Sequence, residues 1–415
     1  MPEHGDRLLI IGGGIIGLCT AMQAQKAGFQ VTLLERGGQL APNCSSANAG
    51  MIVPSHFTPL AAPGMMMQGL RWLFNPESPF AIKPSLSLDM ARWGWIFCRH
   101  SNSRHVAASR KLLCELHMES RQLFIDWAKE FDFGLKTKGL LMLCRDPKVL
   151  EEEAKIVEQA CRLGLRAEVL DAAGVAKLEP GIDIDVVGAL YHAEDAHLDP
   201  ALLINGLKHR FAEAGGTIHY HCPVARLEHH NGRVRAVHGT GGCFEADQFV
   251  IAGGSWTPEL VRDLGLRLPL QPGKGYSLTL KAPAQLPAIC SLLAEARVAM
   301  TPMGSSLRVA GTMEIGGLNH EINPRRIQGI IKSVQNYYPA IKQNAFERLE
   351  PWVGLRPVSP DGLPYLGPAP GIDNLIIASG HAMMGLSLAP VTGMRVTAML
   401  AGEAPIAQLD PGRFE

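Results

Sequence analysis

The sequence predicts an α/β fold whose domains interleave along the chain. Three observations support this: a strand–helix–strand unit opens the chain, strand and helix signals then alternate, and no Pro-, Gly- or Ser-rich linker separates one region from another. The 415 residues suffice for two or three domains, and a composition of 47% hydrophobic and 19% charged residues is typical of globular proteins.

The opening unit has a clear start and end for each element. Arg7–Ile11 is a short apolar run, typical of a buried parallel strand, that ends in three glycines. Ile15–Ala27 predicts a helix that stops at Gly28, and Gln30–Glu35 predicts the second strand.

Further elements follow in chain order. Apolar residues at helical spacing within 103–131 predict a long amphipathic helix, and Asn231-Gly232 in the alternating segment 217–237 predicts a hairpin turn. Other helices are expected at 148–163, 200–214, 324–337 and from Ala389 onward, and other strands at 249–253 and 374–379.

Charge and cysteine content exclude several classes of protein. Lys plus Arg and Asp plus Glu both number 39, so the net charge is zero and a nucleic-acid-binding protein is not expected. The nine cysteines form no Cys-x-x-Cys pair, which favours free thiols in a reducing, cytoplasmic compartment. No run of 18 apolar residues predicts a membrane span. His219, His221 and Cys222 lack a further ligand at metal-binding spacing, so no metal is expected.

The strongest motif is Gly12-x-Gly14-x-x-Gly17. In such a motif the first glycine permits a tight turn, the second lets the backbone approach a pyrophosphate, and the third lets the helix pack on the sheet. The helix N-terminus presents free N–H groups to the phosphates. Glu35 lies 18 residues after Gly17, at the end of the second strand, where an acid binds ribose hydroxyls. The pattern predicts dinucleotide binding.

A second glycine-rich turn favours a flavin over a nicotinamide. Gly380, His381 and Gly385 follow a buried strand and precede the C-terminal helix. Such a turn presents backbone N–H groups, and the helix after it can stabilise negative charge at the pyrimidine edge of a flavin. The acid at Glu35 disfavours NADP, whose phosphate requires a cation.

These segments together resemble the FAD-dependent D-amino-acid oxidase/dehydrogenase family, and most of all its D-amino-acid dehydrogenase branch, which includes D-hydroxyproline dehydrogenase-like enzymes. The resemblance runs from Leu8 to about Gly402. It is carried by the glycine motif, by CSSANAGMIVPS at 44–55, by FVIAGGSWTPEL at 249–260, by GLRPVSPDGLPYLGP at 354–368 and by IIASGHAMMGLSLAPVTG at 376–393.

The resemblance implies a Rossmann-type FAD-binding domain interleaved with an α+β substrate domain that carries a large, mostly antiparallel sheet. We expect the FAD-binding domain at 1–75, 145–265 and 350–415, and the substrate domain at 76–144 and 266–349. The residues expected to contact FAD are Gly12, Gly14, Ile15, Ile16, Gly17, Glu35, Arg36, Ser45, Ser46, Asn48, Ala49, Gly50, Val224, Gly253, Gly254, Gly380, His381, Met384, Gly385, Leu386 and Ser387. FAD is expected to be non-covalent, because 349–367 contains no cysteine or histidine.

Arg356 is the residue expected to bind substrate. It matches the family arginine that pairs with the carboxylate of an amino acid, and a guanidinium fork binds a carboxylate with two hydrogen bonds. Tyr276 falls where relatives carry pocket residues, and His56 is a further candidate for the pocket lining; a sheet tyrosine and a loop histidine are the alternatives. His381 is expected to contact the cofactor through its backbone rather than to act as a base.

The implied reaction is oxidative deamination of D-amino acids, including proline-like cyclic ones, by hydride transfer from the α-carbon to flavin N5. The alternatives are a sarcosine- or glycine-type secondary-amine oxidase, and a flavin-binding subunit without turnover. The dehydrogenase branch passes electrons to a respiratory chain, so a membrane quinone is a candidate acceptor. The apolar and aromatic region 63–97 fits a core, a lid or a peripheral patch on the inner face of a membrane.

Overall fold

The computed structural model describes residues 5–65, 78–82 and 87–415. The strands are β1 Arg7–Ile11, β2 Gln30–Leu34, β3 Met51–Ile52, β4 Phe80–Ile82, β5 Leu140–Cys144, β6 Ala167–Asp171, β7 Gly188–His192, β8 Ala196–His197, β9 Thr217–His219, β10 Val224–His230, β11 Arg233–Gly239, β12 Gly242–Glu245, β13 Gln248–Ile251, β14 Gln271–Lys281, β15 Cys290–Leu293, β16 Val298–Met303, β17 Ser306–Ile315, β18 Trp352–Val358, β19 Tyr365–Pro368 and β20 Leu375–Ser379.

The described α-helices are α1 Ile15–Lys26, α2 Leu88–His100, α3 Ser103–Trp127, α4 Pro147–Arg162, α5 Ala172–Leu178, α6 Pro200–Glu213, α7 Thr257–Leu260, α8 Pro324–Tyr337 and α9 Ala389–Leu400. Short 3₁₀ turns occupy Gly254–Trp256, Arg262–Leu264, Gln343–Phe346, Ala382–Met384 and Ala407–Leu409. The predicted hairpin is present, with Asn231 and Gly232 both at positive φ (49° and 71°) between β10 and β11.

A six-stranded sheet forms the nucleotide-binding half of the molecule. Its strand order is β19-β20-β13-β1-β2-β9, and all neighbours are parallel except β19 and β20. The carboxyl ends of β1, β2 and β13 therefore meet at one edge, where ligands bind in such sheets. The predicted Rossmann-type domain is confirmed.

The helix α1 fits against this sheet because small residues allow close approach. Its buried residues include Leu18, Ala21 and Ala24, and it packs on α9 and α6. A Cβ at Gly393 of α9 would lie 2.6 Å from the backbone of Cys19 in α1, so the two helices touch through their backbones. This packing fixes the start of α1 relative to the sheet edge.

A nine-stranded sheet forms the second half, in the order β18-β14-β17-β16-β15-β5-β7-β6, with β4 paired to β17. It is mostly antiparallel, as predicted; the β15–β5 and β17–β4 pairs are parallel. One face packs on α8 through a cluster that contains Ile330 and Val334. The other face reaches the first half, since Ser277 Oγ donates to Ala47 O at 3.3 Å.

The two halves divide the chain differently from the predicted boundaries. The strands β6 and β7 lie in the predicted FAD segment 145–265, and β18 lies in 350–415, yet all three belong to the nine-stranded sheet. The helix α3, assigned to the substrate domain, shares a core with β1. Sequence position could not reveal this, because buried strands carry the same apolar pattern in either sheet.

The apolar segment proposed as a core, lid or membrane patch lies partly outside the described residues, which omit 66–77 and 83–86. Among the helices of the described ranges, none has the length and apolar character needed to cross a bilayer.

Candidate functional site

A cavity of about 620 Å³ lies at the carboxyl edge of the six-stranded sheet and extends to β18. Of the residues predicted to contact FAD or substrate, those that line it are Gly12, Gly14, Ile15, Ile16, Glu35, Arg36, Ser45, Asn48, Val224, Gly253, Gly254, Arg356, His381, Gly385 and Leu386. These positions span nearly the whole chain, so the fold brings both glycine-rich turns into one cavity.

The first glycine turn has no room for side chains. Gly12 has φ +114°, and a Cβ there would lie 2.4 Å from Ala252 O. A Cβ at Gly17 would lie 1.9 Å from Gly12 O. The Ile15 N–H donates to Ser45 Oγ at 2.9 Å, which ties the start of α1 to the 43–50 segment. The neighbouring first-turn amides remain available for an anion.

Glu35 is held rigidly at the end of β2. One carboxylate oxygen accepts from Gly13 N at 2.8 Å and the other accepts from Gly37 N at 2.7 Å. Each oxygen has a second lone pair, so the fixed carboxylate can still accept from ribose hydroxyls. Beside it, the Arg36 guanidinium lies 3.3 Å above the centre of the Trp256 ring. His320 stacks on Trp256 with ring centres 6.4 Å apart.

His381 lies at the cavity and has one ring nitrogen without a partner among the described residues. The Thr392 hydroxyl donates to Leu388 O at 2.8 Å, so Thr392 Oγ1 accepts from His381 Nε2 at 3.0 Å. The proton of the neutral ring is therefore on Nε2, and Nδ1 carries a lone pair that has no partner among the described residues. Burial lowers the pKa of His381 to about 3, which keeps the ring neutral.

These features fit FAD. The glycine turn and the helix start suit a pyrophosphate, and Glu35 suits a ribose. The expected contact of the His381 backbone with the cofactor stays a prediction, and the hydrogen bond of its ring to Thr392 could not be read from sequence spacing.

Arg356 is a cation that has no acidic partner among the residues the structure describes. Its Nη1 donates to Thr312 O at 2.9 Å, and no described carboxylate forms an ion pair with it. Burial lowers the pKa of Arg356, but a guanidinium stays charged at neutral pH. The Arg356 side chain is half-buried at the cavity, and an unpaired charge that is largely removed from water is costly, so this site favours an anionic ligand.

Gly275 and Thr312 determine the position of the Arg356 side chain, and neither was identified from the sequence. A Cβ at Gly275 would lie 1.8 Å from Arg356 Nη1, so the guanidinium lies directly over this glycine. Opposite Gly275, the β14–β17 pairing shifts register, and Thr312 in this bulge has φ 68°. Such a conformation is strained for a β-branched residue, and here the Thr312 carbonyl accepts from Arg356. Gly275 lies inside a strand and not at a turn, and a glycine in such a position is the sequence signal that could have indicated this site.

Cys44 also lines the cavity, beside Arg356 and Arg36. Burial raises the pKa of its thiol to about 11, so the sulfur stays protonated and is a poor nucleophile.

The structure corrects the expected positions of Tyr276 and His56, neither of which lines the cavity. Tyr276 points to the opposite face of β14, into the core under α8, because side chains alternate along a strand. Its hydroxyl donates to Glu314 Oε1. His56 lies in a separate buried cluster with His117 and His192.

Several residues predicted to contact FAD also lie off the cavity surface: Gly17, Ser46, Ala49, Gly50, Gly380, Met384 and Ser387. Gly17 acts through helix packing, and the Ser387 hydroxyl points inward to His117 and Val53. Neighbours in a tight turn face different directions, which a linear motif does not show.

Comparison with known proteins agrees with this geometry. Residues 7–399 match the DAO family model, described as FAD dependent oxidoreductase. The chain is 32% identical over 405 residues to the D-amino acid dehydrogenase of Agrobacterium fabrum, covering 95% of this chain and 96% of that protein. It is 33% identical to the D-amino acid dehydrogenase of Methylobacterium nodulans, covering 96% of each.

Solved structures support the fold. Glycine oxidase from Geobacillus kaustophilus superposes with a TM-score of 0.78 at 24% identity and covers 99% of both chains. L-proline dehydrogenase from P. horikoshii superposes with a TM-score of 0.74 at 18% identity, over 100% of this chain and 98% of that one. The matched family model covers nearly the whole chain, and the glycine turns, Glu35 and the cavity supply what its cofactor needs. The protein therefore belongs to the DAO family of FAD-dependent oxidoreductases.

Proposed function

We propose that this protein oxidises D-amino acids, including cyclic proline-like ones, at the α-carbon. The observation that carries the proposal is Arg356, a half-buried guanidinium that lines the FAD cavity and has no acidic partner among the described residues. The relatives named D-amino acid dehydrogenase, at 32–33% identity over almost the full chain, support the same substrate class.

The residues of the chain act by binding and orienting. Arg356, held over Gly275 by the Thr312 carbonyl, binds the substrate carboxylate through two hydrogen bonds and fixes the α-carbon. Bound FAD supplies the hydride acceptor. Holding the C–H bond in line with that acceptor removes the entropic cost of a collision between them, which contributes several kcal/mol. No side-chain base at the α-carbon is required for hydride transfer.

An anaerobic titration of the holoenzyme tests the proposal. The flavin absorbance is followed while D- and L-amino acids, D-proline, hydroxyproline isomers, glycine and sarcosine are added in turn. Bleaching by D-amino acids is expected. Bleaching only by sarcosine or glycine would assign a secondary-amine oxidase instead, and a flavin that no amine reduces would indicate a subunit without turnover.

Arg356→Met tests the role of the arginine separately. The variant should keep FAD and lose binding of carboxylate ligands, because methionine fills a similar volume without charge. Arg145→Met is the matched control, since Arg145 is at the surface and pairs with Asp185. Equal carboxylate binding by Arg356→Met and the control would refute the assignment.

We infer that FAD is bound without a covalent link. The cysteines that line the cavity are Cys44 and Cys222, and Cys44 is a half-buried thiol whose raised pKa disfavours attack on the flavin. Acid precipitation should release all of the yellow colour into the supernatant. Colour retained in the pellet would contradict this.

A membrane quinone is the proposed electron acceptor, reached by peripheral contact. The helix α2 exposes two large apolar side chains about two turns apart, Leu88 (87% exposed) and Trp95 (59%), and the Arg99 guanidinium lies 4.8 Å above the Trp95 ring. Apolar residues beside arginines suit an anionic bilayer surface. Sedimentation with anionic vesicles should fall for Trp95→Ser, whereas equal sedimentation of variant and wild type would refute the contact.

A further inference from the structure

A cluster of polar side chains, all buried except the half-buried His56, lies outside the cavity, where the segment after β3 meets β7, β8 and α3. We call it the histidine cluster; its members are Ser55, His56, His117, Ser120, His192, Asp195, His197 and Ser387. His117 and Asp195 are fully buried, at 0% exposure each. The proposed reaction assigns no role to any of them.

One end of the histidine cluster touches the flavin-side turn. Ser387 follows Leu386, which lines the cavity. The hydroxyl oxygen of Ser387 accepts from Val53 N at 3.0 Å. The same oxygen lies 2.8 Å from His117 Nδ1. His117 thereby connects α3 to the turn beneath the cofactor site.

The other end is a hydrogen-bonded chain that can reverse direction. Ser55 N and Ser55 Oγ reach the two oxygens of Asp195 at 3.0 and 2.5 Å, and Ser55 Oγ lies 3.3 Å from His56 Nδ1. When Asp195 is ionised, Ser55 donates to it and accepts from His56. When Asp195 is protonated, it donates to Ser55, which donates to His56.

Five further buried polar atoms of the histidine cluster have no partner in the described part of the chain: His117 Nε2, Ser120 Oγ, His192 Nδ1, His192 Nε2 and His197 Nδ1. Buried polar atoms are almost always hydrogen-bonded, and internal water serves where protein groups do not. The described residues contain no group of three or more His, Cys, Asp and Glu side chains arranged to hold a metal ion.

The histidines stay neutral, and His56 is an electrostatic neighbour of both His192 and His117. The pKa of His192 is lowered to about 4 by burial. The pKa of His56 is also lowered to about 4, mainly by burial and in part by the nearby His192. Burial lowers the pKa of His117 to about 3, with His56 adding to the effect. His197 is lowered to about 4 by burial and by Lys136 and Lys138. Each neutral ring has one donor and one acceptor, as a proton relay requires.

Asp195 has the opposite shift. Burial raises its pKa to about 7, Glu194 adds to the rise, and the Ser55 hydrogen bonds and Arg121 oppose it. The other facing groups are Cys290, a buried thiol, and Arg297, which acts on His56. Asp195 thus exchanges protons near neutral pH while the histidines do not.

We propose that the histidine cluster is a hydrated proton path from the turn at Ser387 to Asp195. It accepts the proton that a bound amino acid loses when its ammonium becomes the neutral amine. The N–H bond breaks, its electron pair stays on nitrogen as the lone pair required for imine formation, and the proton passes through water and His117 to Asp195 as an O–H bond. The source of the proton rests on the proposed function; the path itself does not.

The first test measures flavin reduction by the best substrate in single turnovers between pH 6 and 10. Asp195→Asn should reduce the rate at neutral pH by up to about 100-fold, the range of a lost proton acceptor, and should move the rise of the rate to the pKa of the substrate ammonium. Ser109→Ala is the matched control, because the Ser109 hydroxyl lies on α3 and donates to His105 O of the same helix. A profile for Asp195→Asn equal to that of wild type would overturn the proposal.

The second test needs no substrate. Infrared spectra should show a protonated carboxyl band that disappears as the pH rises through about 7 and that is absent from Asp195→Asn. In heavy water the band shifts as the Asp195 proton exchanges for deuterium. This exchange should be quick in wild type and slow in His117→Gln, because glutamine still bonds to Ser387 but cannot pass a proton between two ring nitrogens. Absence of the band, or equal exchange in both proteins, would refute the path even if no amino acid reduces the flavin.

Discussion

Replacing Gly275 by alanine tests how the anion site is built. The added methyl carbon would lie 1.8 Å from Arg356 Nη1 and 2.4 Å from Arg356 Cζ, far inside van der Waals contact. The guanidinium must therefore leave its place over the strand and lose its hydrogen bond to Thr312 O. The backbone of β14 need not move, since Gly275 has no positive φ.

The expected loss follows from the interaction that is removed. A hydrogen bond to a charged group contributes about 1.5–3 kcal/mol, so the affinity for a carboxylate ligand should fall about 10- to 150-fold. The dissociation constant of FAD should stay within about twofold, because Gly275 does not line the nucleotide part of the cavity.

Binding is measured from the perturbation of the flavin spectrum by a carboxylate competitor such as benzoate, and FAD affinity from fluorescence. Gly311→Ala is the matched control: it lies in the neighbouring strand β17, and its Cβ would meet Val298 and Ile330 at 3.1–3.4 Å, not Arg356. Benzoate binding by Gly275→Ala that equals that of Gly311→Ala would refute the placement of the anion over Gly275.

Three further changes have defined outcomes. Glu35→Gln places an NH₂ group against a backbone N–H of Gly13 or Gly37 and should weaken FAD binding about 10- to 100-fold by fluorescence titration; unchanged affinity would contradict the ribose site. Gly17→Ala should yield protein without FAD, because its Cβ would lie 1.9 Å from Gly12 O; a yellow purified variant would contradict the tight turn. The raised pKa of Asp195 means that the folded state holds a proton which the unfolded state releases above about pH 4, so wild type should lose up to about 4 kcal/mol of unfolding free energy relative to Asp195→Asn between pH 4 and 7; parallel denaturation curves across that range would refute this.

The sequence predicted what depends on local backbone geometry. The turn at Gly12, the helix that follows it and the acid at Glu35 have short-range causes, and the structure places them as expected. The sequence did not predict the direction in which each side chain points. Tyr276 and Ser387 fall in segments that reach the cavity, yet each points away from it, because strand alternation and turn geometry decide the facing.

The features that sequence analysis missed depend on residues far apart in the chain. Gly275 matters only because β18 brings Arg356 over it, and Thr312 only because a bulge turns its carbonyl toward the same side chain. The histidine cluster draws its members from positions between 55 and 387, with no shared spacing. Groups of residues that are this far apart in sequence can be recognised only when the strand pairing is known.

The strand order of the six-stranded sheet constrains how this protein is made. The central strand β1 pairs with β13, so that Leu8 lies beside Gln248, and β13 in turn pairs with β20 near Leu375. Contacts this distant in sequence form slowly, since a long loop must close before they stabilise anything. On the ribosome the first 250 residues emerge without the turn that completes the flavin pocket. Cofactor loading is therefore a late event in biogenesis, and truncated or stalled chains should expose apolar strand edges that chaperones recognise.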